Sequence, residues 1–448
     1  MKRDEVNTKF REYARTLSPK EIERDLVSKT YKSFCDLLGE NNCLQIGSYP
    51  RFTAITPVHD LDILYILENW DEDAHNSSEA LENLIETLKN NYENPTNYTA
   101  EFASRQTHSV GVLFKDASGD EIISVDIIPS YIFSTNEFGE DTYKIPEVAK
   151  KRHGSGRNDF YQELSREHKE MGWISSDPRG YIKVASETDT RTNGEFRKTI
   201  KIIKRWKDNL ADENENLKLK SFHIEQVVTE IFNKNQSADI FEAMFTFFFE
   251  LPEVVATPNQ INDRMNYDKF IDDYLAELTS ESIEQIRYAR DGFLRKLEAL
   301  KGSDSMESLL QIDFYKRKNS EEFLFDKRIK TFIDTNLRFK ADGFVKPLSG
   351  HSHGWLSESI PLQKGLTRGG ERKRMIEFSV RTDIPSATEH RWKVKNSDSC
   401  EQPRGEITLN QTKNHPESTE YVGDHYVECY AIQGGICIAR SRVNVKII

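Results

Sequence analysis

A chain of 448 residues with a formal net charge of −12 has room for two or three domains, and its acidic balance argues against broad coating of nucleic acid while allowing a local basic groove. Its five cysteines, Cys35, Cys43, Cys400, Cys429 and Cys437, contain no CxxC pair, so neither a zinc site nor a disulfide framework is indicated. The opening MKRDEVNTKF has no apolar targeting segment and no run reaches membrane-spanning length, which points to a cytoplasmic protein with reduced thiols and no membrane partner.

In chain order, SPKE at 18–21 starts the first predicted helix. Ser18 can cap, Pro19 suits the first helical position and Glu21 can close a capping box. Ile22, Leu26, Phe34, Leu37 and Leu38 supply its apolar face. A short strand, Cys43 to Ile46, leads into the turn Gly47-Ser48. The stretch from Gly47 to Leu67, GSYPRFTAITPVHDLDILYIL, then carries a strand in which Asp60 and Asp62 project from one face, with Leu61, Ile63, Tyr65 and Leu67 on the other. Carboxylates in an apolar strand cost free energy and repel one another, so a bound cation is their natural partner. A helix is expected over 78–91. The run Val110 to Phe114, the turn DASGD at 116–120 and EIISVDIIP at 121–129 read as a hairpin that would bring Asp126 beside the first strand. Three oxygen-bearing side chains converging on one patch suit magnesium, with substrate phosphates completing its shell.

Residues 134–190 are turn-rich, and KKRHGSGRND and SSDPRG are expected to border a cleft. From Asn193 the pattern is helical: Phe196, Ile200, Ile203, Trp206 and Leu210 form one stripe. SFHIEQVVTEIFN, ADIFEAMFTFFFEL, YDKFIDDYLAEL and SIEQIRYARDGFLRKLEAL follow as further helices, with the phenylalanines at 241, 245, 247, 248 and 249 assigned to the core. Residues 341–360 read as a linker. From about 366 the runs MIEFSVRTD, HRWKVKN, GEITL, HYVECYAI and ICIARSRVNVKII suggest a small β-sandwich. The domain division expected is 1–190, 191–340 as a helical lobe, 341–365 as linker, and 366–448.

GSYPRFTAITPVHDLDILYIL, through Gly47, Ser48, Tyr49, Arg51, Thr53, Asp60 and Asp62, resembles the active-site segment of polymerase-β-type nucleotidyltransferases, in the branch with oligoadenylate synthetases and bacterial CD-NTases. SVDIIPSY, with Asp126, resembles that family's third-aspartate strand, and WKVKN, PRGEI, YVGDHYVECYAI and ICIARSRVNVKI resemble the AGS-C nucleotide-sensor domain. The resemblance implies an α+β fold: a nucleotidyltransferase sheet, a long spine helix, a helical lobe and a C-terminal small β-sandwich.

It also implies roles. Asp60 and Asp62 would hold the metal that carries the triphosphate, and with Asp126 a second metal that activates the acceptor hydroxyl, two Mg2+ ions with Mn2+ as a substitute. Gly47 and Ser48 would approach the phosphates. The basic helix of Arg197, Lys198, Lys201, Lys204, Arg205 and Lys207 would offer Lys204 to the β- and γ-phosphates, with Lys201 on the same face. Ser221 and Phe222 would line the nucleotide pocket, and Thr53 and Lys201 would be among the residues that bind the nucleotide. Arg51 could contact phosphate or stabilise that loop. The function implied is conversion of NTPs or dNTPs into a cyclic or short linear oligonucleotide messenger, read by a downstream effector in anti-phage defence. A non-catalytic nucleotide receptor, or non-templated extension of a nucleic-acid or protein hydroxyl, are the competing expectations.

Overall fold

The computed structural model describes residues 2–106, 108–147, 172–266, 269–318, 320–360, 362, 374–385, 388–409 and 416–448. The chain divides into two compact units, one of Phe10–Phe247 with Pro252–Ile283, the other of Met1–Lys9, Phe248–Leu251 and Glu284–Ile448. The expected stretch KKRHGSGRND lies outside the described residues.

The first unit is built on a mixed sheet. Its strands are β1 (Cys43–Ile46), β2 (Asp60–Asn69), β3 (Thr99–Arg105), β4 (Val110–Lys115), β5 (Glu121–Thr135), β6 (Asp141–Pro146) and β7 (Trp173–Ser176). The path runs β1-β2-β5-β4-β3, with β6 and β7 continuing from β5. The hairpin expected at 110–129 forms, and β5 lies parallel to β2 with Asp62 paired to Asp126. Alternation then fixes the two faces. Leu61, Ile63, Ile123, Val125 and Ile127 pack under helices α2 (Glu21–Leu38) and α3 (Ser77–Asn91), against Val27, Phe34, Leu81, Leu84 and Leu88. Leu64, Ile128 and Tyr143 make a second cluster on the opposite face, the face that carries the aspartates at its leading end.

Helix α2 begins two residues later than the sequence suggests. Pro19 stays outside it, and the Glu23 carboxylate accepts from the Lys20 amide at 2.6 Å, the Val58 amide at 2.9 Å and the Thr56 hydroxyl at 3.0 Å. The cap is therefore set by contact with the loop after β1, which local spacing does not encode. A helix over Arg3–Thr16 (α1) precedes it.

Turn-rich SSDPRG ends β7 and starts α4 (Pro178–Arg191), where buried Asp177 caps by accepting from the Gly180 amide at 2.8 Å. Helix α5 (Glu195–Glu213) buries Phe196, Ile200, Ile203, Trp206 and Leu210 as expected. α6 (Ser221–Lys234), α7 (Ile240–Ala256) and α8 (Ser280–Ala299) follow, and Phe241, Phe245, Phe247 and Phe248 are buried, Phe249 less so. YDKFIDDYLAEL does not make the expected helix: only a short 3-10 turn forms at Asp273–Glu277. Buried Asp272 turns its carboxylate onto the Gln260 and Ile261 amides at 2.9 and 3.0 Å, a side-chain-to-backbone alternative to helical bonding.

The second unit holds a β-sandwich. One sheet runs β10 (Gly354–Trp355), β9 (Phe339–Val345), β11 (Met375–Thr382), β14 (Glu417–Ser418). The other runs β13 (Ile407–Leu409), β12 (Glu389–Lys395), β15 (Gly423–Gln433), β16 (Ile436–Ile447), β8 (Lys330–Thr331). Ala341, Val345, Ile376 and Phe378 face Trp392, Val394, Val427, Cys429, Val443 and Val445 across the core. The expected linker is thus part of this unit. Ala341 and Val345 are buried four residues apart on one face of β9, and β9 pairs with β11 over its whole length. Gly343 lies within β9 and Gly354 within β10, while Ser349, Gly350, His351, Ser352 and His353 fall between the two strands. All five cysteines are free thiols, and no helix among the described residues is long and apolar enough to cross a membrane.

Candidate active site

A cavity of about 660 Å³ opens in the first unit, within the range of small-molecule sites. Its walls include Gly47, Ser48, Arg51, Asp60, Asp62, Asp126, Lys204, Ser221 and Phe222. Among the residues singled out from sequence, Tyr49, Thr53, Arg197, Lys198, Lys201 and Arg205 are not on its walls. Thr53 is fully buried behind them, and Lys201 donates to the Ser18 hydroxyl at 2.8 Å.

The strand pair explains the acidic wall. Asp62 and Asp126 are register partners on β2 and β5, and Asp60 sits two residues before Asp62 on the same face. Asp60 is exposed, while Asp62 and Asp126 are partly covered. Burial, with the charges of Asp126 and Asp60 beside it, raises the Asp62 pKa to about 7. Gln106 donates to Asp126 Oδ1 at 2.7 Å. Among the described residues, no three His, Cys, Asp or Glu side chains stand as a ready-made metal cage.

Gly47 has φ +78°, and a Cβ built on it would lie 1.9 Å from Asp62 Oδ2. Both facts require glycine: the left-handed backbone and the close passage of the carboxylate.

Behind the loop lies a cluster that the sequence does not announce. Glu225 of α6 is fully buried and accepts from Arg51 Nε at 2.8 Å, Arg51 Nη2 at 3.3 Å, Thr53 Oγ1 at 2.9 Å and Lys204 Nζ at 2.5 Å. Lys204 also donates to the Thr53 carbonyl at 3.1 Å. Burial alone would raise the Glu225 pKa, but Arg51 and Lys204 overcome it and hold it down to about 2. Lys204 moves downward as well, because its own burial, with Arg51 and Lys207 nearby, outweighs Glu225. One carboxylate cannot neutralise two cations. Burial, reinforced by Arg197 and Lys204, brings Lys201 down to about 8.

Arg51 therefore takes the loop-stabilising alternative in this structure, and Arg197 extends it by donating to the Arg51 carbonyl at 2.9 Å. Ser221 is the first residue of α6, whose N-terminus opens at the cavity wall without a side-chain cap. Phe222 packs against the Arg51 guanidinium at 5.2 Å and edge-on to Tyr181 at 4.9 Å. Lys207, Asp208, Tyr181, Ser176 and Asp263 also line the cavity. Of these, SSDPRG had marked Ser176, and Lys207 belonged to the basic helix. Tyr181 and Asp263 carried no sequence signal.

Residues 318–448 match the family model described as the adenylyl/guanylyl and SMODS C-terminal sensor domain, AGS-C, so the second unit contains that domain. The chain is 25% identical over 228 residues to a probable cyclic nucleotide synthase of Bacillus cereus, covering 46% of this chain and 60% of that protein. It thus spans less than two thirds of that relative's length. Among solved structures it is similar to CdnC of E. coli in complex with HORMA-deltaN, with a TM-score of 0.46, 17% identity, 69% of this chain and 94% of that one. It is also similar to apo DncV of Vibrio cholerae, with a TM-score of 0.39, 14% identity, 61% of this chain and 67% of that one.

Proposed function

We propose that this chain, a CD-NTase-like nucleotidyltransferase that carries an AGS-C domain, joins nucleoside triphosphates into a cyclic or short linear oligonucleotide messenger and releases pyrophosphate. The observation that carries the reading is the pairing of Asp62 with Asp126 on adjacent parallel strands, Asp60 on the same face, at the wall of a cavity that Gly47-Ser48 and the start of α6 also enter.

The donors fit magnesium or manganese. Six carboxylates (Asp60, Asp62, Asp126, Asp208, Glu225 and Asp263) against three cations (Arg51, Lys204 and Lys207) line the cavity among the described residues. A polyanionic triphosphate entering alone would meet repulsion that divalent cations relieve. Asp60, Asp62 and Asp126 would hold two such ions, hard oxygen ligands for hard cations. When bound, the ions neutralise phosphate charge and make the acceptor hydroxyl more acidic.

The protein's own residues do the positioning, which is most of what phosphoryl-type transfer asks of an enzyme. Gly47 lets Asp62 approach the loop. Ser48 and the open N-terminus of α6 at Ser221 present donors suited to phosphate oxygens. The Glu225 cluster ties the loop that bears Gly47 and Ser48 to α5 and α6 through Arg51 and Thr53. The messenger would act through a separate effector protein, and the biological role would be defence against phage. Both extend the family resemblance of the motifs.

The test is direct. The purified chain is incubated with labelled NTPs and dNTPs and with Mg2+ or Mn2+, and the products are identified by mass spectrometry. Pyrophosphate release with a short oligonucleotide product is expected, and the Asp60→Ala, Asp62→Ala double variant should give none. No pyrophosphate from any mixture, with infected-cell extract added, refutes the proposal. A product of many nucleotides would reassign the chain to non-templated polymerisation.

A further inference from the structure

We infer that Asp263 reads the base of a bound nucleotide and selects for one that bears an exocyclic amino group, rejecting uracil; the inference rests on the nucleotidyltransferase reading of the same cavity. Asp263 lines that cavity together with Tyr181, Phe222 and Ser176. Phe222 and Tyr181 stand edge to face at 4.9 Å, an aromatic wall of the kind against which a base packs, and the carboxylate lies at the end of it.

The two Asp263 oxygens have different tasks. Oδ1 is saturated: it accepts from the Met265 amide at 2.9 Å, the Asn266 amide at 3.1 Å and Asn266 Nδ2 at 3.0 Å. Among the described residues, Oδ2 receives only the Tyr181 hydroxyl, at 3.2 Å, well beyond the usual length of a hydroxyl-to-carboxylate bond of about 2.5–2.7 Å. It therefore retains acceptor capacity on a residue that lines the cavity.

Its position is held from several directions. The Asp263 amide bonds to the Lys269 carbonyl at 2.9 Å and the Ile271 amide to the Ile261 carbonyl at 2.8 Å, closing a small hairpin. Asn266 Nδ2 pins that hairpin to the Ser175 carbonyl at 2.6 Å, and the Arg264 amide donates to the Tyr181 hydroxyl at 3.0 Å.

An ionised carboxylate only accepts hydrogen bonds. Adenine, cytosine and guanine offer an amino group to it, whereas uracil sets carbonyl oxygens on both sides of its single imino hydrogen and meets Oδ2 with like charge. Sites built to pair one polar group discriminate strongly against the analogue that lacks it.

The experiment measures turnover of ATP, CTP, GTP and UTP, each supplied alone and in pairs, and of purine riboside triphosphate, which is ATP without the amino group. With the unmodified protein, UTP alone should run at least about tenfold slower in kcat/KM than the best amino-bearing triphosphate, and purine riboside triphosphate should lose a similar factor against ATP. Asp263→Asn keeps an oxygen for the Met265 and Asn266 donors and turns an amide donor toward the base. It should raise UTP use relative to the amino-bearing triphosphates by about tenfold or more. UTP turned over within twofold of the best substrate, or equal use of ATP and its deamino analogue, overturns the assignment of Asp263 and leaves the transferase reading standing. No turnover of any triphosphate overturns both.

Discussion

Glu225→Gln tests the cluster that holds the loop between β1 and β2. The substitution keeps the shape and removes the one negative charge between Arg51 and Lys204, both buried. Breaking one side of a buried ion pair costs about 3–5 kcal/mol, because the remaining charge is left uncompensated. The same two cations, Arg51 and Lys204, hold the Glu225 carboxyl down to about 2 against the pull of burial. The sign follows from the direction. A carboxylate with a depressed folded pKa contributes its full stability above the unfolded pKa and loses it as pH falls from about 4.5 toward 2.

Urea denaturation followed by circular dichroism at pH 7 should therefore show the variant less stable by about 3 kcal/mol. A series from pH 6 down to pH 3 should show a shallower fall for the variant than for the unmodified chain. A loss below about 1 kcal/mol with an unchanged pH slope would refute the claim that this carboxylate anchors the loop.

Gly47→Ala should reduce turnover by about a hundredfold or more with the fold retained, since its Cβ would displace the Asp62 carboxylate and misplacement on the ångström scale has that effect; pyrophosphate release and circular dichroism check the two halves. The Asp60→Ala, Asp62→Ala double variant should abolish product yet unfold no more easily in the absence of divalent ions, because it removes a repulsive pair; denaturant midpoints decide. In the other unit, Trp392→Ala should cost about 3–5 kcal/mol, as expected for a fully buried indole, and loss of the β-sandwich can be followed by hydrogen exchange in β12 and β15.

The acidic wall was readable in the sequence because strand alternation is local. Two aspartates two residues apart must share a face, and the DASGD turn sets β4 and β5 side by side. Sequence could not supply the partner of Arg51. Glu225 sits in SFHIEQVV among apolar residues, and only the packing of α6 under the loop turns it toward two cations. Asp263 and Tyr181 escaped for a related reason: each is an ordinary polar residue in a chain region of ambiguous pattern, and they become a pair only when residues far apart in sequence meet. Residues 341–345 read as linker in the sequence because Asp342 and Gly343 dilute the alternation, although Ala341 and Val345 keep the inward positions of the strand.

The basic helix shows how the same residues can be read two ways. By spacing, Lys201 and Lys204 share a face suited to a polyphosphate on a helix crowded with cations. In the structure three of those cations donate to backbone carbonyls of the loop between β1 and β2: Arg197 to Arg51, Lys204 to Thr53, Arg205 to Thr56. That loop carries polar residues and a non-glycine φ of +59° at Phe52, so its shape is costly without such anchors. A phosphate that drew Lys204 away from Glu225, its partner at 2.5 Å, would leave the buried carboxylate with Arg51 as the one remaining cation of the pair and the Thr53 hydroxyl. Arg51 would then have to carry the whole compensation, which it can do because its guanidinium already holds both Glu225 oxygens. The redundancy of two cations on one carboxylate is therefore what would let a lysine be lent to substrate without collapse of the loop. It follows that Arg51→Met should impair triphosphate binding through Lys204, raising KM more than it lowers kcat, although Arg51 itself faces the carboxylate.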